Sequence, residues 1–297
     1  MIWRHLTSAI GLAALVFIGC ADDKAAEPPP EVRDSDTTVD PPEVDLGTPA
    51  DETDATESTD PATPAADASS GGSAVLRGKF VYDGKAPEPA KLAITKDQEV
   101  CGPASPVDES LVVGPDGGIA NILVWVRSKD VVSESPEGNA VLDNHGCRFE
   151  PHVLVVHTGQ QLEITNSDPI GHNANVTTVI NPAVNSSVPP AGNYTISFSK
   201  EERMPAKVSC GIHPWMTGWV LVSDDTYNAV TNDDGTFEIS GLPLGQELEF
   251  QVWQEKAGFL SDVTVEGGET WSRGRFTKTF DGDVDLGVVK VSPSAFE

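Results

Sequence analysis

Cys210-Gly211-Ile212-His213-Pro214-Trp215-Met216 puts a thiol, an imidazole and a thioether inside one short stretch of chain. Residues 207–210 and 218–222 flank it with β-favouring runs, so the stretch reads as the connection between two neighbouring strands. A second imidazole, in His172-Asn173, lies well upstream. It must arrive from a different strand, so a site that uses both histidines is positioned by the fold and not by local chain geometry.

Working outward, the pattern is β throughout. Residues 75–82 alternate and end at the turn pair Asp83-Gly84. Residues 120–127 follow Asp116-Gly117-Gly118, and residues 153–157 and 161–166 flank Thr158-Gly159. Residues 246–255 and 284–291 read as later strands. No helical period persists beyond a turn or two, and short β-rich runs separated by Gly, Pro and Asp indicate a sandwich or barrel. The expected fold is therefore all-β.

The donor set carries the chemistry. One thiolate and two imidazoles, with a thioether as a weak axial fourth donor, make the set that suits blue-copper electron transfer. Sulfur donors favour Cu(I) and imidazole accepts both oxidation states, so Cys210, His172, His213 and Met216 are the candidate ligands of one mononuclear copper ion. Each has a plainer reading: a strand Cys is usually a small core hydrophobe, and a Met beside a Trp usually packs. Zinc rarely recruits Met. Met216 is the ligand whose identity the sequence specifies least, since axial donors vary among such sites.

Val156-His157-Thr158-Gly159-Gln160-Gln161-Leu162-Glu163-Ile164-Thr165-Asn166 reads as a hairpin, and Ser167-Asp168-Pro169-Ile170-Gly171-His172-Asn173 follows it. This stretch and the Cys210–Met216 loop together resemble the Greek-key cupredoxin family, in which a strand ends in Asn and a short loop delivers His-Asn. The loop is similar to the short amicyanin-like Cys-x-x-His-Pro-x-Met type. The resemblance implies that His172 Nδ1, Cys210 Sγ and His213 Nδ1 form a trigonal plane with Met216 Sδ as the weak axial ligand. It implies that Asn173 hydrogen-bonds across to the Cys loop. It also implies that His213 lies at the surface as the electron port, with Pro214 and Trp215 as an apolar docking rim. Trp215 is equally well read as packing over the loop.

Thr231-Asn232-Asp233-Asp234-Gly235-Thr236-Phe237, followed by Leu242-Pro243-Leu244-Gly245, resembles the carboxypeptidase regulatory-like (transthyretin-like) β-sandwich. Residues 75–87 also resemble the opening strand of such a module. The expected organisation is a signal at 1–20, an acidic linker at 21–73, a copper domain at 74–223 and a smaller β module at 224–297. The two β units can share sheets, so the boundary near Ser223 is soft.

The N-terminus reads as an address. Arg4 precedes a short apolar run, and Phe17-Ile18-Gly19-Cys20 resembles a bacterial lipobox, which implies lipidation of Cys20. The plainer alternative is a secretory signal with an incidental Cys. Residues 21–73 hold fifteen Asp and Glu against Lys24 and Arg33, with few large apolar residues. No core can offset their ordering entropy, and like charge keeps such a chain extended. The formal charge of −27 leaves no basic stripe for phosphates, so nucleic acid is excluded as a partner.

Cys101 and Cys147 remain after Cys20 and Cys210 are assigned. In an oxidising envelope compartment they are expected to form a disulfide, the alternative being two buried free thiols. His145, His152 and His157 are read as surface or supporting residues, and His5 lies in the signal. No catalytic constellation or phosphate loop is present, and four protein ligands leave no open position for substrate, so the chain is not read as an enzyme. The expected function is a lipid-anchored one-electron carrier in a bacterial cell envelope, facing periplasm or exterior, with envelope donors and acceptors such as a basic cytochrome. The alternatives are a copper-delivery protein and a structural envelope sandwich.

Overall fold

A computed structural model describes residues 72–129, 131, 133–261 and 263–297. The signal, Cys20, His5 and nearly all of the linker lie outside the described residues. The fold is all-β, as expected. In chain order the strands begin with β1 (Ser73–Tyr82), β2 (Leu123–Val126), β3 (Ala140–His145), β4 (Arg148–Glu150), β5 (Val153–His157) and β6 (Gln161–Asn166). They continue with β7 (His172–Thr177), β8 (Val184–Val188), β9 (Asn193–Ser197), β10 (Ala206–Ser209), β11 (Thr217–Ser223) and β12 (Asn228–Val230). The last are β13 (Thr236–Pro243), β14 (Glu247–Gln254), β15 (Gly258–Phe259), β16 (Val263–Val265), β17 (Arg275–Thr279) and β18 (Val284–Val291). A short helix α1 (Gln98–Ala104) lies between β1 and β2, and the 3-10 turn Pro293–Phe296 ends the chain. No helix among the described residues is long and apolar enough to cross a membrane.

Two pairs of sheets enclose two cores. The first pair has strand orders β4-β3-β6-β9 and β5-β11-β10-β7-β8. Between them lie Leu142, Phe149, Leu162, Ile164, Val208 and Val220, together with Cys210 and Met216. The alternation of β3 and β6, with Leu142, Leu162 and Ile164 turned inward, is the two-residue period of a half-buried strand. The second pair has orders β13-β1-β18-β16 and β12-β2-β14-β15, with β17 added to β14. Its core is aromatic: Phe250 stacks on Phe276 with centroids 5.0 Å apart, and Phe80 meets Phe237 at 5.6 Å. A small third cluster, in which Trp219 meets Trp253 edge-on at 4.9 Å, packs the two halves together.

The expected division at residue 223 does not follow the hydrogen bonding. β1 pairs antiparallel with β13 and parallel with β18, so the first described strand belongs with the last. β2 pairs with β12 and β14. The sandwich built from β3 to β11 is therefore an insertion between β2 and β12 of the other module, and the described residues fall within one compact unit. Packing of the turn at Asn232-Asp233-Asp234-Gly235 against the early chain enforces this. A Cβ at Gly118 would fall 1.9 Å from the Asp234 carbonyl oxygen, and Gly235 holds φ of 81° directly against Phe80.

Asp225 sits at the return from insertion to module. Its Oδ1 accepts from the Tyr227 N–H at 2.8 Å, and burial pushes the carboxyl from 3.8 up to about 6. The folded chain therefore holds a proton there that the unfolded chain has lost above about pH 4. Stability falls as pH rises from about 4 to 6, by roughly 3 kcal/mol for a rise of that size. Asp225→Asn keeps an acceptor for Tyr227. It is expected to flatten this step, measured as urea midpoints between pH 4 and 7.

Candidate metal centre

β10 delivers Cys210 at its end, and β7 begins with His172. These strands are hydrogen-bonded neighbours, with Ser209 opposite Asn175, so the ladder itself brings the upstream imidazole to the Cys loop. The loop that follows is short enough to turn back at once. The Met216 N–H donates to the His213 carbonyl at 2.9 Å, and the Cys210 N–H donates to the Met216 carbonyl at 3.2 Å. His213 is thereby folded over the thiol, with its own N–H 3.4 Å from Sγ.

His172, Cys210 and His213 converge, with one donor atom from each within 4.8 Å of the others. His213 Nδ1 lies 3.0 Å from His172 Nδ1 and 3.8 Å from Cys210 Sγ. All three residues are buried, as is Met216, which packs in the same core cluster as Cys210. Asn173 ties the strand to the loop. Its Oδ1 accepts from Gly211 N–H at 2.7 Å and Ile212 N–H at 3.3 Å, with Sγ at 3.4 Å. Its Nδ2 donates to Asn185 on β8.

The outer nitrogen of each imidazole meets a carboxylate. His172 Nε2 is 2.9 Å from Asp168 Oδ2, and His213 Nε2 is 2.7 Å from Asp97 Oδ2. An ionised carboxylate can only accept, so each pairing favours the ring form that carries its proton on Nε2 and turns Nδ1 to the cluster. Desolvation, which favours the neutral ring, holds His172 below the ordinary histidine range and is opposed in part by the hydrogen bond to Asp168. The two Nδ1 atoms face each other at 3.0 Å with the Cys210 thiol beside them. One sulfur and two imidazoles gathered in one buried cluster fit a soft or borderline metal ion.

Asp168 is itself fixed by Gly146 N–H on Oδ1 and Cys147 N–H on Oδ2, each at 2.8 Å. Asn166 holds the intervening loop, donating to the carbonyls of Ile170 and Val188. Cys101 and Cys147 form the expected disulfide. Cys210 is the free cysteine among the described residues.

One expectation is corrected. The resemblance implies His213 at the surface as an electron port, yet its exposure is 0%. The segment carrying Asp97 and α1 covers it, anchored by Ile94 and Val100 against the core. Of the expected rim, Pro214 is exposed, while Trp215 is half-buried, donates from Nε1 to the Cys147 carbonyl and lies against the His213 ring. The remaining histidines stay out of the cluster. His145 is exposed, His157 Nδ1 meets its neighbour's carbonyl, and His152 Nε2 lies 2.6 Å from Glu255. Asp97 and Asp168 are the site residues that sequence reasoning missed. Asp168 has a faint signal, four residues before His172 in the loop that delivers it. Asp97 has none.

No family model and no curated protein matches the chain. Among solved structures, parts of it are similar to a Cu-containing nitrite reductase from Thermus scotoductus (24% identity, 33% of this chain, TM-score 0.27). The match spans 25% of that reductase's own length. A purple cupredoxin from Nitrosopumilus maritimus is similar at 25% identity over 29% of this chain and 100% of its own, with TM-score 0.25. An amicyanin mutant in its Cu(I) form is similar at 20% identity over 34% of this chain and 98% of its own, with TM-score 0.27.

Proposed function

We propose that His172, Cys210 and His213, with Met216 as a weak fourth donor, hold one copper ion, and that the chain is a one-electron carrier tethered in a bacterial cell envelope. The convergence of two imidazole Nδ1 atoms and a thiol in a buried cluster carries this reading. Bound there, copper supplies a centre that cycles between Cu(I) and Cu(II). The chain's own residues keep that cycling cheap. Asn173 clamps the Cys210 loop, Asp168 and Asp97 fix both rings in the Nε2–H form, and the surrounding core excludes water. Ligands held by such partners have little room to rearrange when charge changes.

Burial of all the donors supports retention of the metal over its delivery to another protein. The disulfide supports an oxidising compartment, and Phe17-Ile18-Gly19-Cys20 supports a lipid anchor with residues 21–73 as its stalk. A strongly acidic chain favours cationic redox partners, a basic cytochrome among them, with encounter weakening as salt rises. Exposed Pro214 beside half-buried Trp215 is the apolar part of the face they would meet.

The test is the spectrum of the copper-loaded full chain. The expected result is an intense visible thiolate-to-Cu(II) charge-transfer band with a narrow copper hyperfine splitting in EPR. Copper that binds without a thiolate band, or a chain that takes up only zinc, would overturn the reading.

A further inference from the structure

Asp97 stands where a helix N-cap belongs, immediately before α1. An N-cap Asp ordinarily accepts a hydrogen bond from a backbone N–H of the first turn. Here it makes no such bond, adopts a left-handed backbone with φ of 46°, and sends Oδ2 to His213 Nε2 at 2.7 Å. That region is uncommon for non-Gly residues, although Asp is among those that adopt it. The segment is anchored on both sides of Asp97: Ile94 and Val100 pack into the core, and Cys101 is bonded to Cys147.

The second carboxylate is held from the other end of the same bridge. Asp168, partner of His172, takes the Cys147 N–H on its Oδ2. Trp215, lying against the His213 ring, donates to the Cys147 carbonyl. One covalent link thus connects both carboxylates that hold the two imidazoles: Cys101 leads through α1 to Asp97, and Cys147 leads to Asp168.

We infer that Asp97 is a positioning residue of the His172/Cys210/His213 centre, and that the Cys101–Cys147 bridge closes the centre by holding Asp97 over His213 while Asp168 holds His172. Asp97 selects the His213 tautomer that presents Nδ1, and its segment shuts the one imidazole that would otherwise face solvent. The consequence is slow escape of the metal and no direct contact between a partner and the His213 edge. For its metal-dependent part, this inference rests on the copper reading above.

Two measurements on the full chain test it. In the metal-free protein, nitrogen NMR of the His213 ring should show a protonated, hydrogen-bonded Nε2 and a bare Nδ1. Asp97→Asn, which keeps an acceptor, should preserve that pattern, and Asp97→Ala should lose it. In the copper(I) protein, transfer to a strong Cu(I) chelator should run about 10–100-fold faster in Asp97→Ala, the range over which such supporting partners act on metal affinity. Cys101→Ser/Cys147→Ser should accelerate it as well, since it unties the segment that carries Asp97 from the one that holds Asp168, while Asp97→Asn stays near wild type.

A wild-type chain with the copper band, whose Asp97→Ala variant transfers metal within twofold of it, overturns the inference and leaves the copper reading standing. A chain without the band overturns the copper reading, and the metal-free NMR then decides the Asp97 contact alone. A His213 ring protonated at Nδ1 in the wild type overturns that contact too.

Discussion

Cys210→Ser is expected to erase the thiolate-to-Cu(II) absorption completely while leaving the β fold in place. Cys210 is 2% exposed and supplies the sulfur that converges with His172 and His213. Serine is nearly isosteric, so the core barely notices the change, yet its hydroxyl is a hard donor that ionises far above neutral pH. The Asn173 clamp on Gly211 and Ile212 does not depend on the sulfur, so the loop keeps its shape. The check is optical and EPR spectroscopy of the copper-loaded variant beside far-UV circular dichroism of the same sample. Retention of the visible band would place the colour on some other ligand set.

Removing the bridge with Cys101→Ser/Cys147→Ser should lower the unfolding free energy by about 4 kcal/mol. The figure follows from the chain entropy freed when a loop of this sequence separation, 46 residues, is opened. Both sulfurs are fully buried, so the hydroxyls that replace them add a desolvation cost of their own. Urea unfolding of the variant against the oxidised parent reads the difference. A loss below about 1 kcal/mol would mean that Ile94 and Val100 hold the covering segment without covalent help.

Much of the fold was legible because it is written locally. β5, β6 and β18 span the same residues that alternation and turn chemistry marked, since Thr158-Gly159 and flanking Asp residues punctuate the chain. The meeting of Cys210 and His213 was legible because they share one short loop, and that of His172 because His-Asn follows a strand ending in Asn166. The module boundary was legible only in part: residues 75–87 resemble the opening strand of the later module, but the pairing partners do not show. β1 reaches its parallel partner β18 across nearly the whole described chain, and no local pattern in SAVLRGKFVY says which strand it will join. The carboxylates were not legible. Among 46 Asp and Glu, nothing along the chain distinguishes Asp97, which meets His213 from 116 residues away. The burial of His213 was missed for the same reason, because its cover comes from a segment whose own sequence reads as plain loop.

β2 and β12 lie side by side, Leu123 opposite Val230, although about a hundred residues separate them along the chain. Joining them in a disordered chain costs roughly 4 kcal/mol of closure entropy. That penalty shrinks once β3 to β11 have collapsed and drawn the two ends together. The outer module is therefore expected to close after the insert that carries His172, Cys210 and His213 has collapsed.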